Sequence, residues 1–124
     1  ALSRGEQPQV FEGSGTIKRD FVHVADVAAV NLHFLGAAPP GLRIVNVGSG
    51  VARSFHELAS LVSGVTAGPL PVTVPFPEHL LGRYQRYTCA DLGGLRRAGY
   101  EAPMRSLETG IAAYHAALAS MESR

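Results

Sequence analysis

The sequence predicts an α/β fold, and three observations carry that prediction. Short extended pieces alternate along the chain with segments of helical period. A capping box, Ser54-Phe55-His56-Glu57, opens a helix shortly after the Gly48-Ser49-Gly50 turn. Fourteen glycines and eight prolines in 124 residues divide the remainder into turns and connections.

Taken in order, Ala1-Leu2-Ser3-Arg4 reads as the last turn of a helix ending near Gly5. Gln9-Val10-Phe11 is extended and is broken by Gly13-Ser14-Gly15. Residues 18–24 alternate as a strand, with Phe21 and His23 opposite Val22 and Val24. Asp26 is placed to cap a helix whose one face gathers Val27, Ala28, Asn31, Phe34 and Leu35, with Gly36 and Pro39-Pro40 as its stop. Residues 42–47 are nearly continuously apolar, as in a strand buried on both faces. The helix after Ser54 is expected to bury Phe55, Leu58, Ala59 and Val62 and to end at Gly64.

Val72, Val74 and Phe76 alternate, but Pro71, Pro75 and Pro77 lack the N–H a ladder needs, which makes this an edge strand. Residues 88–91 offer a box-like start to a short helix ending at Gly99. The last helix starts at Ser106 and carries Leu107, Ile111, Tyr114, Leu118 and Met121 on one stripe. The strands are few and not in simple βαβ order. The chain therefore reads as a piece of an α/β protein whose sheet is completed elsewhere.

Composition excludes several functions. Eleven basic and ten acidic side chains leave a net charge of +1, too little for a phosphate-tracking nucleic-acid binder. No apolar run approaches the roughly 18 residues of a membrane span. Cys89 is the only cysteine, so there is no internal disulfide, and the five histidines (23, 33, 56, 79, 115) have no metal-ligand spacing. With no signal-like start, the cytosol is the expected compartment. Lys18 is the only lysine among the eleven basic residues, a skew that fits either codon bias or phosphate recognition by arginine. Gly48-Ser49-Gly50 stands where a phosphate loop would, but Arg53 replaces the third glycine of a dinucleotide fingerprint and no acidic residue follows at ribose distance. It reads as a tight turn. No nucleophile–base pair is apparent.

The ordered set of strings is more telling: Phe11-Glu12-Gly13-Ser14, then Arg19-Asp20-Phe21-Val22-His23-Val24-Ala25-Asp26-Val27-Ala28, then Asn46-Val47-Gly48-Ser49-Gly50. Pro75-Phe76-Pro77 and Leu81-Gly82-Arg83-Tyr84-Gln85 complete it. The second and third strings resemble the C-terminal portion of the extended short-chain dehydrogenases/reductases, the nucleotide-sugar epimerases and dehydratases. The whole set resembles the ADP-L-glycero-D-manno-heptose 6-epimerases over nearly the entire chain. Departures are His23, where tyrosine is also common, and residues 64–70, which match nothing in the pattern.

The resemblance implies the substrate-binding segment of such an enzyme, including the last strand of its Rossmann sheet (42–47), with the N-terminal Rossmann core missing. For the full-length enzyme it implies inversion of C6 of ADP-heptose by oxidation and reduction through NADP, in lipopolysaccharide heptose synthesis, and a homo-oligomer. The family's Tyr-x-x-x-Lys pair is absent, since Ser14 stands four residues before Lys18. The chain alone is therefore expected to be inactive, to hold no catalytic residue and to bind no cofactor. By the same resemblance, Phe11, Glu12, Gly13, Ser14, Arg19 and Tyr84 are the substrate contacts. Arg83 and Arg86 flank Tyr84 and rank below it for phosphate contact. The competing reading of Arg19 is a surface pair with Asp20. The competing functions are another nucleotide-sugar epimerase or dehydratase, or a non-catalytic sugar-nucleotide-binding module.

Overall fold

The computed structural model of the chain describes residues 6–37, 41 and 44–122. The expected helical turn at residues 1–4, the Pro39-Pro40 stop and the first two residues of the 42–47 run lie outside them. The described elements are β1 (Gln9–Phe11), β2 (Lys18–Asp20), α1 (Val24–Ala37), β3 (Ala52–Ser54), α2 (Phe55–Val65), β4 (Val72–Val74), a 3-10 turn (Glu78–Leu80), α3 (Gly93–Arg97) and α4 (Leu107–Glu122). β1 pairs in parallel with β4, Gln9 against Val72 and Phe11 against Val74. β2 pairs antiparallel with β3, Lys18 against Ser54 and Asp20 against Ala52. Lys18 also bridges Tyr87 in parallel. β4 lies at an edge, as its flanking prolines require.

Strand β2 ends at Asp20, four residues short of the alternating run. Helix α1 has already begun at Val24, and its cap is His23: the imidazole Nδ1 accepts a hydrogen bond from Ala25 N at 3.1 Å. The expected cap, Asp26, instead lies in the first turn, only 5% exposed. Its carboxylate accepts from the Arg105 backbone N–H at 2.9 Å and pairs with the Arg105 guanidinium. This pair sets the rotation of α1. Val30 is buried and Phe34 half-buried, whereas Ala28 and Asn31 face outward and Leu35 is 83% exposed. Helix α1 is apolar on nearly every side, so periodicity alone could not choose the inner face.

The core is Val30, Leu95 and Tyr100, joined by Phe34, Val45, Val47, Leu92 and Met104. Residues 44–47 form no strand, against expectation. Val45 and Val47 lie on the core, but Ile44 is 91% exposed. A strand buried on both faces needs a ladder neighbour, and none stands beside these residues among those described. Together with Leu32 and Leu35, Ile44 presents apolar surface to solvent. The 124-residue chain alone is expected to be marginally folded or to associate. A sharp two-state melt from a clean monomer in sedimentation would contradict this.

The capping box of α2 forms as expected. Ser54 Oγ accepts from Glu57 N at 3.1 Å, and Glu57 Oε2 accepts from Ser54 N at 2.7 Å. Arg53 bonds Glu57 at 3.1 Å and Glu108 at 2.9 Å, tying α2 to α4. The Ser54 backbone N–H, then its hydroxyl, with a further contribution from Arg53, hold the Glu57 carboxyl at about 2 against the opposing effect of burial. A carboxyl depressed by folding stabilises above its unfolded pKa, and that stability fades as pH falls toward the folded value. The window here runs from about 4.5 down to about 2. Because Glu57 is partly exposed, the contribution is about 1 kcal/mol or less. Glu57→Gln, which keeps the box without titrating, is expected to flatten the acid limb of urea midpoints measured between about pH 5 and pH 2.5. An unchanged acid limb would contradict it.

Phe55, Leu58, Ala59 and Val62 of α2 are half-buried rather than buried, and the helix runs one residue past Gly64. Hollows of about 470 and 330 Å³ leave that face partly open. Of the α4 stripe, Leu107 and Ile111 are half-buried, while Tyr114, Leu118 and Met121 are exposed. At α3 the expected box at 88–91 does not form. The N-cap is Leu92, with no side-chain cap. Asp91 accepts from Gly93 N at 2.8 Å, and Gly99 ends the segment with φ +99°.

Candidate functional site

The site is built on the connection between β1 and β2. Ser14 N and Thr16 N donate at 2.9 Å to Phe11 O and Gly13 O, and Ile17 N also donates to Gly13 O at 3.3 Å. Gly13 sits at φ +77°, in the left-handed region that strains any residue with a Cβ. Thr16 Oγ1 donates to Gly13 O at 2.9 Å and accepts from Arg86 Nη2 at 2.8 Å.

Opposite this turn lies the segment 75–86. Arg83 N and Tyr84 N both donate to Leu80 O, at 3.1 and 3.0 Å, which curls the chain back at Tyr84. Phe11 meets Phe76 edge-on at 5.5 Å, and Phe76 meets Tyr84 edge-on at 5.6 Å. The Arg19 guanidinium carbon lies 5.2 Å from the Tyr84 ring centre and 5.9 Å from that of Phe55. Phe55 in turn meets Phe21 at 5.5 Å. A row of five rings with one guanidinium between them thus crosses from β1 to the start of α2. Arg19 Nη1 donates to Lys18 O at 2.8 Å and Nη2 donates to Gln85 O. One further N–H remains on each terminal nitrogen.

Tyr84 divides two hollows. One, of about 330 Å³, is lined by Phe11, Ser14, Ile17, Phe55 and Leu58 among others. The other, of about 530 Å³, is lined by Glu12, Gly13, Phe76, Leu80 and Arg86 among others. The six residues named from the sequence thus gather about Tyr84: Phe11 and Ser14 on one side, Glu12 and Gly13 on the other, and Arg19 against its ring. Arg83 lines neither hollow, and neither does Arg19, whose place in the site rests on its contact with the Tyr84 ring. Phe55, Phe76 and Thr16 are additions to the contacts named from the sequence. Phe76 has a signal, its place between two prolines in one of the strings, and Thr16 has none.

Asp20 does not pair with Arg19. Its carboxylate accepts from Ser49 N at 2.6 Å, Ser49 Oγ at 2.5 Å, Gly50 N at 2.9 Å and Ala90 N at 3.0 Å. Burial pushes this carboxyl up, but the bonds from Ser49, Ala90 and Gly50 outweigh it and hold it below its ordinary value. The two amides that would face a phosphate at the Gly48-Ser49-Gly50 turn are therefore committed to Asp20. The residues present do not fit a dinucleotide, and the chain alone is expected to bind neither NADP nor NAD. A calorimetric Kd below about 100 μM would overturn this.

Among the described residues, no group of three His, Cys, Asp or Glu side chains is placed to hold a metal, and no helix is long and apolar enough to cross a membrane.

No family model matches the chain. Solved structures do. The chain is similar to the ADP-L-glycero-D-manno-heptose-6-epimerase of Helicobacter pylori, with 26% identity and a TM-score of 0.73 over 91% of this chain and 33% of that one. It is similar to the UDP-N-acetylglucosamine 4-epimerase of Methanobrevibacter ruminantium, solved with UDP-N-acetylmuramic acid, at 23% identity and a TM-score of 0.72 over 90% and 34% of the two chains. A third likeness is to an NAD-dependent NDP-hexosamine 5,6-dehydratase of tunicamycin biosynthesis, at 24% identity and a TM-score of 0.70 over 99% and 37%. The chain thus spans about a third of the length of the structures it matches. Its fold is that of the C-terminal part of the extended short-chain dehydrogenases/reductases, of the nucleotide-sugar epimerase and dehydratase type.

Proposed function

We propose that this chain is the sugar-nucleotide-binding part of a 6-epimerase acting on ADP-heptose, in the supply of heptose for lipopolysaccharide. The observation that carries the proposal is the gathering of Phe11, Glu12, Gly13, Ser14 and Arg19 about Tyr84. Each residue type has a task there. Arg19 is a cation held in place by two carbonyls and two rings, suited to a phosphate oxygen. Phe11 and Tyr84 offer flat apolar faces to a base or sugar. Gly13 and Ser14 allow close approach to the backbone, and Glu12 accepts from hydroxyls. Hydride and proton transfer belong to residues outside this chain, with the cofactor. The full-length enzyme is proposed to use NADP, to work in the cytoplasm and to be a homo-oligomer.

The likeness to the Helicobacter pylori heptose epimerase supports ADP-heptose. The comparable likenesses to a UDP-sugar 4-epimerase and a hexosamine dehydratase support the second reading, another enzyme of the same type. The test offers ADP-heptose, UDP-sugars and GDP-sugars to the full-length protein and follows each sugar by NMR, for inversion at C6 of the heptose and for epimerisation at another carbon or loss of water in the hexoses. ADP-heptose is expected to lead in kcat/KM by about tenfold or more. A lead for another sugar nucleotide moves the assignment to the second reading. Binding with no turnover of any of them makes the protein a non-catalytic module.

A further inference from the structure

The three residues of β2 hold one stretch of chain, residues 85–90, and they do so from both faces of the strand. On one face Arg19 Nη2 donates to Gln85 O. Along the strand edge Lys18 N donates to Arg86 O at 2.9 Å, and Thr88 N donates to Lys18 O at 3.2 Å. On the opposite face Asp20 Oδ2 accepts from Ala90 N at 3.0 Å. A segment pinned only over its middle can pivot there. The bond at Ala90 fixes one end, and so sets the direction in which the chain passes Gln85 and Tyr84.

Asp20 also holds the Gly48-Ser49-Gly50 turn. Its Oδ1 accepts from Ser49 N and Ser49 Oγ, at 2.6 and 2.5 Å, and its Oδ2 accepts from Gly50 N at 2.9 Å. That turn leads through β3 to Phe55, whose N–H donates to Ile17 O at 3.3 Å and whose ring centre lies 5.9 Å from the Arg19 guanidinium carbon. The Tyr84 ring, 5.2 Å from the same carbon, belongs to the stretch that ends at the Ala90 anchor. One carboxylate thus ties together the two parts of the chain whose rings contact the guanidinium. Only a carboxylate can do this with four donors, since an amide offers one oxygen and turns its own N–H groups toward the rest.

We infer that Asp20 is a positioning residue, not a ligand contact: by joining the Tyr84 loop to the turn that leads to Phe55, it sets Arg19 in place for a phosphate-bearing ligand. This rests on the reading of the site as a sugar-nucleotide site and deepens it. The effect on affinity runs through conformation. With the clamp closed, Arg19 is already placed before the ligand arrives. Without it only a fraction of the molecules hold the guanidinium there, and apparent affinity falls by that fraction.

The test is calorimetry on the full-length protein with ADP and UDP as probes, below the melting temperature of every variant. Asp20→Asn is expected to weaken both about fivefold. Made in an Arg19→Ala background, the same change is expected to weaken them by less than about twofold further, because no guanidinium remains to be placed. Asp26→Asn is the control. Its carboxylate holds Arg105, so its loss is expected to lower the unfolding midpoint and leave affinity unchanged. Where Asp20→Asn fails to fold, or Arg19→Ala binds too weakly to measure, amide hydrogen exchange in the wild-type protein gives the answer. Clamp and ligand favour each other reciprocally, so saturating ADP is expected to slow exchange at Ala90 N severalfold more than at Arg105 N, the amide held by Asp26. Wild-type affinity in a folded Asp20→Asn protein overturns the inference alone. So does an equal fold-loss in the Arg19→Ala background, or exchange at Ala90 N slowed no more than at Arg105 N. Failure of the wild-type protein to bind either probe removes the reading of the site, and the inference with it.

Discussion

Alanine at position 48 is expected to destabilise the protein by about 3 kcal/mol or more, enough to unfold it where stability is marginal. A Cβ built on Gly48 stands 2.5 Å from Ala90 Cβ and 2.5 Å from Asp20 Oδ2, closer than such atoms approach. Neither neighbour can move cheaply. Asp20 holds three backbone amides, of which Ser49 N and Ala90 N are part-buried, so displacing it leaves those two without their acceptor, while the exposed Gly50 N can turn to water. Overpacking costs about 1–3 kcal/mol, and each amide left without its acceptor adds about 1–3 kcal/mol. Gly15 is the control. A Cβ added there meets no atom within 4 Å, so Gly15→Ala is expected to leave stability within about 0.5 kcal/mol of wild type. Equilibrium denaturation of the two variants side by side checks this. A Gly48→Ala protein as stable as the Gly15→Ala one would contradict the role given to the Asp20 clamp.

That clamp shows where the sequence is legible and where it is not. The Ser54–Glu57 box, the edge placement of β4 and the stop at Gly99 are local rules, and each holds. The rotation of α1 is not local. It depends on Arg105, 79 residues away along the chain, which the periodicity of an all-round apolar helix cannot see. The same is true of the Thr16–Arg86 contact, which spans 70 residues. The 42–47 run has the composition of a strand, but a strand exists only with a partner, and composition does not supply one. The Arg19–Asp20 surface pair stays open in the sequence, and the strand decides against it. Successive side chains on a strand point to opposite faces, so these two diverge, Arg19 toward Tyr84 and Asp20 toward Ser49. The candidate site residues come from a resemblance in the order of strings along the chain, and the fold brings those strings together. A turn at residues 12–16 and a loop at residues 76–86 are brought face to face by the parallel pairing of β1 with β4.

The larger functional effect is expected at Arg19, tested in the full-length enzyme. Arg19→Lys keeps a positive charge near the Tyr84 ring but loses the planar fork, and is expected to weaken substrate use about tenfold. Arg19→Ala is expected to cost more, since a charge-assisted hydrogen bond is worth about 1.5–3 kcal/mol and a bidentate pair lies toward the upper end. The loss should fall on KM, because in the proposed substrate the diphosphate is remote from C6 and is held alike in the ground and transition states. Stability tells a separate story. The guanidinium also donates to Gln85 O and lies over Tyr84 and Phe55, so Arg19→Ala loosens the loop that carries Tyr84 and is expected to cost about 1 kcal/mol in the unfolding midpoint. A purely structural Arg19 gives that stability loss with kinetic constants unchanged when assayed well below the melting temperature. A substrate contact gives a raised KM that persists there, and one that Arg19→Lys only partly restores. Near wild-type kinetics for a folded Arg19→Ala enzyme would remove Arg19 from the site, and with it the cation on which the proposed phosphate contact beside Tyr84 depends.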